Sequence, residues 1–166
     1  MIDNEAWIFG KGPGLDCEPL VALAGKRRIC INEATFAVPG CTEAVAADAV
    51  ACEKILHDAF PELPVYTRKG VLDDDPARNL LHVDCPPSSP ALAVLVARMM
   101  GFTTHNFIGF ESLRGDYSYA KCMQEIGAAP KVPAKFRGPT GHLFRQLGLC
   151  RIRAVFHFAD TYKGGE

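Results

Sequence analysis

A glycine-rich turn follows the first apolar run of the chain and is the segment best suited to bind an anion. Residues 7–16 read WIFGKGPGLD, which predicts a strand, a tight turn and then a helix. Such a turn places backbone N–H groups and a helix N-terminus in front of a phosphate, and Lys11 would add a positive charge. The GK[ST] ending of a P-loop is missing, and Pro13 interrupts the dinucleotide fingerprint GxGxxG. A purely structural tight turn explains the same glycines equally well.

Three further polar residues stand where they could contact a ligand. Asn32 ends a second apolar run, Arg28–Ile31, where its amide could form hydrogen bonds beside the glycine turn. Asn is also suited to turns, so turn formation competes with this interpretation. Ser88 and Ser89 precede Pro90 and are good helix caps. A cap does not exclude contact with phosphate at the same helix N-terminus.

The residues that could bind a metal form no recognisable site in the sequence. Asp73–Asp75 stands before Pro76 with no strong strand leading into it, which is typical of a solvated turn rather than of a D-x-D metal site. The cysteines have an odd count and no CxxC pair, so we interpret them as reduced, buried thiols. They are Cys17, Cys30, Cys41, Cys52, Cys85, Cys122 and Cys150. Neither a metal nor another cofactor is expected.

Alternating strand and helix patterns predict an α/β fold with a mainly parallel sheet. The predicted strands cover residues 6–9, 28–31, 44–47, 64–67, 80–83, 106–108 and 151–156. The predicted helices cover residues 17–24, 48–60, 88–100 and 140–147, with Asp48 as one N-cap. The segment 127–141 is rich in proline and glycine, and we interpret it as a loop that lies over the carboxyl ends of the strands like a lid.

Length and charge exclude several classes of protein. A chain of 166 residues predicts one domain over residues 1–166, and a net charge of −1 does not indicate a nucleic-acid-binding protein. No apolar run approaches the roughly 20 residues of a membrane helix, and the first residues lack the basic start of a signal peptide, so we expect a cytoplasmic protein. Residues 131–158 contain six Lys or Arg and no acid, which indicates either a solvated face or an anion-binding surface.

Five segments of the chain occur in the order found in one known family. Gly10–Leu15 reads GKGPGL and matches a G-N-G-P-S-L turn, with Lys11 in place of Asn and Gly14 in place of Ser. The other four segments are Arg28–Asn32, Ser88–Pro90 with the helix after it, Asn106–Glu111, and Asp116–Ala120. In this order the segments resemble the bacterial sialyltransferases that transfer from a CMP-sugar, together with the wider group of Rossmann-like proteins that share the turn.

The resemblance implies a Rossmann-like domain that binds a nucleotide or nucleotide-sugar, with a CMP-type ligand favoured. Gly12, Gly14 and Ser89 would cradle the phosphate, Asn32 would hold the nucleoside, and Glu111 stands where the family has an Asp. The full set of nucleotide-binding residues that it implies is Gly10, Lys11, Gly12, Gly14, Asn32, Ser88, Ser89 and Glu111.

The family transfers a glycosyl group without a metal, which implies two further roles for residues of this chain. Hydroxyl donors stabilise the leaving phosphate, and a histidine acts as general base on the acceptor. Tyr119 matches one of the family's two tyrosines, whereas the other falls on Leu113, which cannot donate a hydrogen bond; Tyr117 is a nearby substitute if the register shifts. His142 is the candidate base, because the start of the predicted helix would favour its neutral form.

Two other functions fit the same sequence. A diphosphokinase-like transferase would use the same turn and would consume ATP with magnesium. A non-catalytic binding or assembly module would have kept the fold and lost the chemistry, and Lys11, Leu113 and the short chain favour this alternative.

Overall fold

The chain folds around a seven-stranded β-sheet in which neighbouring strands are parallel. The computed structural model describes residues 4–17, 23, 25–75, 78–128 and 137–159. The strands are β1 (Glu5–Phe9), β2 (Arg27–Ile31), β3 (Glu43–Val45), β4 (Val65–Arg68), β5 (Leu80–Val83), β6 (Thr104–Ile108) and β7 (Arg153–His157). The predicted α/β fold with a parallel sheet, of the Rossmann-like kind, is confirmed.

The order of the strands is β5-β4-β3-β2-β1-β6-β7, which places the first strand near the centre. The chain moves outward from β1 to β5 on one side and then returns to place β6 beside β1. Trp7 of β1 therefore lies opposite Arg28 of β2 on one side and Asn106 of β6 on the other. The direction of strand order reverses between β1 and β6, and in open parallel sheets ligands bind outside the carboxyl ends of the strands at such a point.

Six helices connect these strands within the described residues. They are α1 (Gly14–Cys17), α2 (Ala34–Ala37), α3 (Ala49–Asp58), α4 (Ser89–Met99), α5 (Lys121–Glu125) and α6 (Arg137–Cys150). The predicted caps are confirmed: Asp48 accepts the N–H of Ala51 at 2.9 Å, and Ser88 accepts the N–H of Ala91 at 3.2 Å. Over the described part of the chain, no helix is both long enough and apolar enough to cross a bilayer.

Helices cover both faces of the sheet, which explains why the inner strands β2, β3 and β6 are buried at almost every position. Alternate residues of β1 point to opposite layers, with Ile8 in one apolar cluster and Phe9 in the other. The Ile8 layer includes residues of α4 and α6, whereas the Phe9 layer includes residues of α1, α2, α3 and α5. Cys30, Cys41 and Cys52 are buried in the Phe9 layer as free thiols, as the sequence predicts.

The structure differs most from the sequence prediction in residues 127–141, which are predicted to form a lid-like loop. Helix α6 begins at Arg137, so the prediction of a loop through residue 141 is wrong from there on, and residues 129–136 lie outside the described residues. Pro139 falls in the first turn of α6, where a missing N–H breaks no intrahelical hydrogen bond. The helix is held by tertiary packing, because Leu143 and Leu147 are buried in the layer that contains α4.

The short helices are the elements that the sequence predicts least well. The predicted helix over residues 17–24 shares only Cys17 with α1, and residues 18–22 and 24 lie outside the described residues. Helices α2 and α5, which have four and five residues, are absent from the sequence prediction. Such elements are too short to show helical periodicity, and their packing against the sheet determines them.

His105 in β6 supplies a test of this buried architecture. Its side chain is fully buried, and Nε2 donates to the carbonyl of Phe102 at 3.1 Å. Burial disfavours the imidazolium and lowers the pKa of His105 from its ordinary value of 6.5.

Below about pH 6.5, we expect the free energy of unfolding to fall less steeply with falling pH in His105→Gln than in the wild type. The unfolded chain takes up a proton near that pH while the folded chain keeps His105 neutral, so stability falls as the pH falls toward the folded-state pKa. Gln does not titrate and can still donate to Phe102. Urea unfolding between about pH 7.5 and 5 measures the slope, and His57→Gln, at a largely exposed side chain, is the matched control. Equal slopes for the wild type and His105→Gln would contradict this account.

Candidate functional site

A cleft of about 250 Å³ lies at the carboxyl ends of the strands, where the strand order reverses. We call it the switch-point cleft. Segments that follow five of the strands form its wall, together with the N-terminal part of α4 and two residues of α6. Its wall residues are Gly10–Gly12, Ile31, Asn32, Ala47, Asp48, Arg68, Pro87–Pro90, Gly109, Phe110, Ser112, Leu113, Tyr117–Tyr119, Thr140 and Leu143.

The glycine turn after β1 packs directly against the turn after β6. The N–H of Gly10 donates to the carbonyl of Ile108 at 2.8 Å, and the N–H of Gly12 donates to the carbonyl of Gly109 at 2.8 Å. A Cβ added at Gly10 would lie 2.5 Å from the Gly109 oxygen. The glycines are therefore required by the approach of two backbones, and the N–H groups of Gly10 and Gly12 already have acceptors within the protein.

Glu111 supports the same turn from outside the cleft. Its buried carboxylate accepts the N–H of Ala159 at 3.2 Å and also interacts with the N–H of Gly14. A Cβ at either Gly12 or Gly14 would collide with this carboxylate. Burial raises the pKa of Glu111 above its ordinary value. Neither Gly14 nor Glu111 is part of the cleft wall, so the structure gives them a role in holding the turn.

Lys11 reaches the cleft wall, but its charge is already paired. The ammonium lies 2.9 Å from Oε2 of Glu33 and 5.0 Å from the centre of the Tyr119 ring. Burial alone would lower the pKa of Lys11, but Glu33 and Tyr119 outweigh it, so the pKa lies above its ordinary value. Lys11 is therefore charged at neutral pH and largely neutralised by its carboxylate partner.

Tyr119 presents a buried hydroxyl in the wall of the cleft. The residue is 5% exposed, and its oxygen has no well-formed hydrogen bond among the described residues, although the Lys11 ammonium lies near the ring. The N–H of Ala120 donates to the carbonyl of Lys11 at 2.9 Å, which ties this segment to the glycine turn. The Lys11 ammonium interacts with this hydroxyl, but it has only donors, so the O–H hydrogen of Tyr119 has no acceptor among the described residues. A buried donor without an acceptor is unfavourable by about 1–3 kcal/mol, so a ligand that accepts this hydrogen bond would gain affinity.

A chain of hydrogen bonds crosses the ends of β2, β3 and β4. Oγ of Ser89 donates to Oδ1 of Asn32 at 3.3 Å and accepts the N–H of Ala47 at 2.9 Å. The carbonyl of Ala47 then accepts Nε of Arg68 at 2.9 Å. Asn32 has a φ of 51°, in the left-handed region that Asn tolerates better than most residues. Asn32 thus forms the turn and also lines the cleft, and the two interpretations of the sequence are compatible.

The cleft brings together seven of the ten predicted site residues. Those in the wall are Gly10, Lys11, Gly12, Asn32, Ser88, Ser89 and Tyr119. Arg68, Phe110 and Thr140 also line the cleft but are not among the predicted site residues. Arg68 lies one residue beyond the predicted strand 64–67. An arginine that follows directly on an apolar strand was the available signal for Arg68.

His142 is not in the wall of the cleft, although Thr140 and Leu143 of the same helix are. The expectation that it stands at a helix N-terminus is wrong, because α6 begins at Arg137 and His142 is its sixth residue. The dipole effect falls off within the first turn, so the stated reason for a neutral His142 no longer applies.

The acidic triplet lies in an irregular, mostly exposed segment after β4. Asp74 lies 2.9 Å from Nδ1 of His82, and Asp75 lies 3.2 Å from Nε of Arg78. Across residues 4–17, 23, 25–75, 78–128 and 137–159, no three His, Cys, Asp or Glu side chains gather in a metal-binding group.

Comparison of the chain with protein-family models, curated proteins and solved structures finds no match. The fold class is established by the parallel sheet itself. Function therefore has to be argued from the contents of the cleft, since a parallel α/β fold supports many activities.

The space around Gly10 in the turn and around Gly148 in α6 predicts opposite effects of a Gly→Ala substitution on stability. Gly10→Ala should lower the free energy of unfolding by about 1–3 kcal/mol, because the new methyl meets the Gly109 carbonyl. Gly148→Ala should raise it by about 0.4–1 kcal/mol, because this exposed position in α6 leaves the methyl free of contacts. Denaturant unfolding of both variants measures the difference. If Gly10→Ala were as stable as the wild type, the turn would have to move enough to accommodate the added methyl group.

Proposed function

We propose that the switch-point cleft binds a nucleotide or a nucleotide-sugar. The buried hydroxyl of Tyr119 carries the proposal, because it lines the cleft and lacks a well-formed partner among the described residues. Native proteins satisfy most buried polar atoms, so such a group in a cleft indicates a ligand that supplies the acceptor. The position at the switch point of a parallel sheet supports the same conclusion.

The composition of the cleft wall suits the mixed chemistry of a nucleotide. Phe110 and Leu113 offer apolar surface on which a base or sugar ring can lie. Asn32 and the Ser88-Ser89 pair offer amide and hydroxyl groups at the ends of β2 and at the start of α4. An apolar pocket with a few convergent polar groups is the usual form of a small-molecule site.

The finer proposal is transfer of a glycosyl group from a CMP-type donor without a metal, and it rests on the resemblance of the five segments. Tyr119 would donate to the leaving phosphate, which needs stabilisation as its charge develops. Tyr117 also lines the cleft, close in sequence to Leu113, where the family's other tyrosine falls. Tyr117 would supply the second hydroxyl that Leu113 cannot. The resemblance implies His142 as the base, a role that requires its side chain to reach the acceptor from outside the cleft wall.

A non-catalytic binding module is the second candidate function. It is favoured by the position of His142 outside the cleft wall and by the neutralisation of Lys11 by Glu33. Under this alternative the cleft binds its nucleotide but no glycosyl transfer follows.

A thermal-shift screen with CMP, CDP, UDP, GDP and ATP, each with and without magnesium, tests the proposed function. A ligand that binds only the folded chain adds about 2.7 kcal/mol at a hundredfold excess over Kd. We expect a rise in Tm with CMP that does not depend on magnesium. A rise with ATP only when magnesium is present would favour the diphosphokinase-like transferase instead. No shift with any of the five would overturn the proposal.

Tyr119→Phe should separate stability from binding. Removal of a buried hydroxyl without a well-formed partner should leave the Tm of the free protein unchanged or higher. The same change should weaken CMP binding about tenfold, because about 1.4 kcal/mol is lost with one hydrogen bond to the ligand. Calorimetric titration measures both affinities.

Tyr66→Phe is the matched control, since Tyr66 lies in β4 and is absent from the cleft wall. It should bind CMP like the wild type. If Tyr119→Phe also bound CMP with wild-type affinity, the hydroxyl would have no part in ligand binding.

A further inference from the structure

Arg68 is a cation of the switch-point cleft that has no carboxylate partner among the described residues. Lys11, the other basic residue in the wall, is paired with Glu33 at 2.9 Å. No carboxylate of the described residues lies within ion-pair distance of the Arg68 guanidinium. Asp48 also lines the cleft, but its carboxylate accepts the N–H of Ala51 at the start of α3. The unneutralised positive charge of the cleft therefore lies at Arg68.

The guanidinium of Arg68 is held in place by the protein through one of its nitrogens. Nε donates to the carbonyl of Ala47 at 2.9 Å, which fixes the side chain against the end of β3. The preceding residue strengthens this arrangement, because the buried hydroxyl of Thr67 donates to the carbonyl of Ala46 at 2.8 Å. The two Nη groups have no acceptor among the described residues, and their planar geometry matches the oxygens of a phosphate or carboxylate.

Arg68 stands at the opposite end of the cleft from the glycine turn. Strands β4 and β1 are separated by β3 and β2, which places their ends roughly 14 Å apart at the usual strand spacing. At the β1 end, the N–H groups of Gly10 and Gly12 donate to backbone carbonyls and are not available to a phosphate. The positive charge that is still available for an anion therefore lies at the end of β4, since Tyr119 at the other end offers only a neutral hydroxyl.

We propose that Arg68 binds the anionic group of the ligand, so that this group lies over the ends of β3 and β4 and not over the glycine turn. The inference rests on the proposed nucleotide-binding function and reverses the orientation that the glycine turn alone predicts. Ser89 links Arg68 to Asn32 through Ala47, so the anion site and the wall toward β2 belong to one hydrogen-bonded unit. The remainder of the ligand then extends toward Phe110 and Tyr119. The Tyr119 hydroxyl, beside Lys11 at the glycine-turn end, would then donate to the sugar or the base and not, as the resemblance implies, to the phosphate.

Calorimetric titration with cytidine and CMP tests the assignment, because the two probes differ only in the phosphate. The wild type should bind CMP more tightly than cytidine. If the anionic group is the phosphate, Arg68→Gln should weaken CMP binding at least tenfold and leave cytidine binding unchanged. Arg68→Lys should then have an intermediate affinity for CMP, because it keeps the charge and loses the planar guanidinium. Arg78→Gln removes an arginine outside the cleft, paired with Glu53, and should bind both probes like the wild type.

Two CMP-linked sugars distinguish the possible sources of the anion. If Arg68 binds the phosphate, Arg68→Gln should weaken the complexes with a neutral and a carboxylate-bearing sugar equally. If Arg68 binds a sugar carboxylate, only the second complex should weaken, and CMP itself should be unaffected. Either result supports an anion site at Arg68.

Lys11→Met supplies the opposing test. Suppose that Lys11→Met no longer binds CMP more tightly than cytidine, while Arg68→Gln binds every probe like the wild type. The anion then lies at the glycine turn, so the inference fails while the nucleotide-binding function stands. If the wild type binds none of the four probes, the CMP-type ligand and the inference fail together, and the thermal-shift screen shows whether the cleft binds another nucleotide. A circular dichroism spectrum and Tm for each variant show whether it is folded.

Discussion

The arrangement of the molecule depends on the close approach of two backbone turns, one after β1 and the other after β6. Gly10 and Gly12 donate to the carbonyls of Ile108 and Gly109, and no side chain fits between the two segments. This contact joins the strands at which the strand order reverses, so it determines where the sheet opens a crevice. Glu111, buried beside the turn with a raised pKa, fills the space that a Cβ would need. The sequence feature most typical of a phosphate loop is thus required first by the packing of two strands.

That requirement changes how charge is distributed over the cleft. Because the turn uses its N–H groups internally and Lys11 is paired with Glu33, the β1 end of the cleft offers little net attraction to an anion. The β4 end is different, because Arg68 is oriented by the Ala47 carbonyl and has no carboxylate partner within the described residues. Two cations at similar positions in the sheet therefore have different chemistry, since a neighbouring carboxylate neutralises one of them and a peptide carbonyl only orients the other.

The helices and strands with strong local sequence signals are the ones whose bounds can be predicted from the sequence. The helix that became α4 has an N-cap at Ser88, a proline in its first turn and a continuous apolar face, and it was predicted to within a residue. Residues 80–83 were predicted as a strand with the bounds that β5 has. By contrast, α2 and α5 have too few residues for a periodic pattern, and the start of α6 at Arg137 was obscured by nearby prolines and glycines. Elements that depend on packing for their existence carry weak local signals.

The linear order of the residues is enough to predict the fold class, the glycine turn at the end of β1 and seven of the residues that line the cleft. Apolar runs, caps and turn residues act over a few positions, so they can be recognised in a linear chain. Which polar groups are already used is visible only in the folded chain. Glu33 lies 22 residues from Lys11, and the acceptor of the Gly12 N–H comes from Gly109, nearly a hundred residues away. Whether a group can bind a ligand depends on such distant partners, because a donor already bonded within the protein offers little to a phosphate.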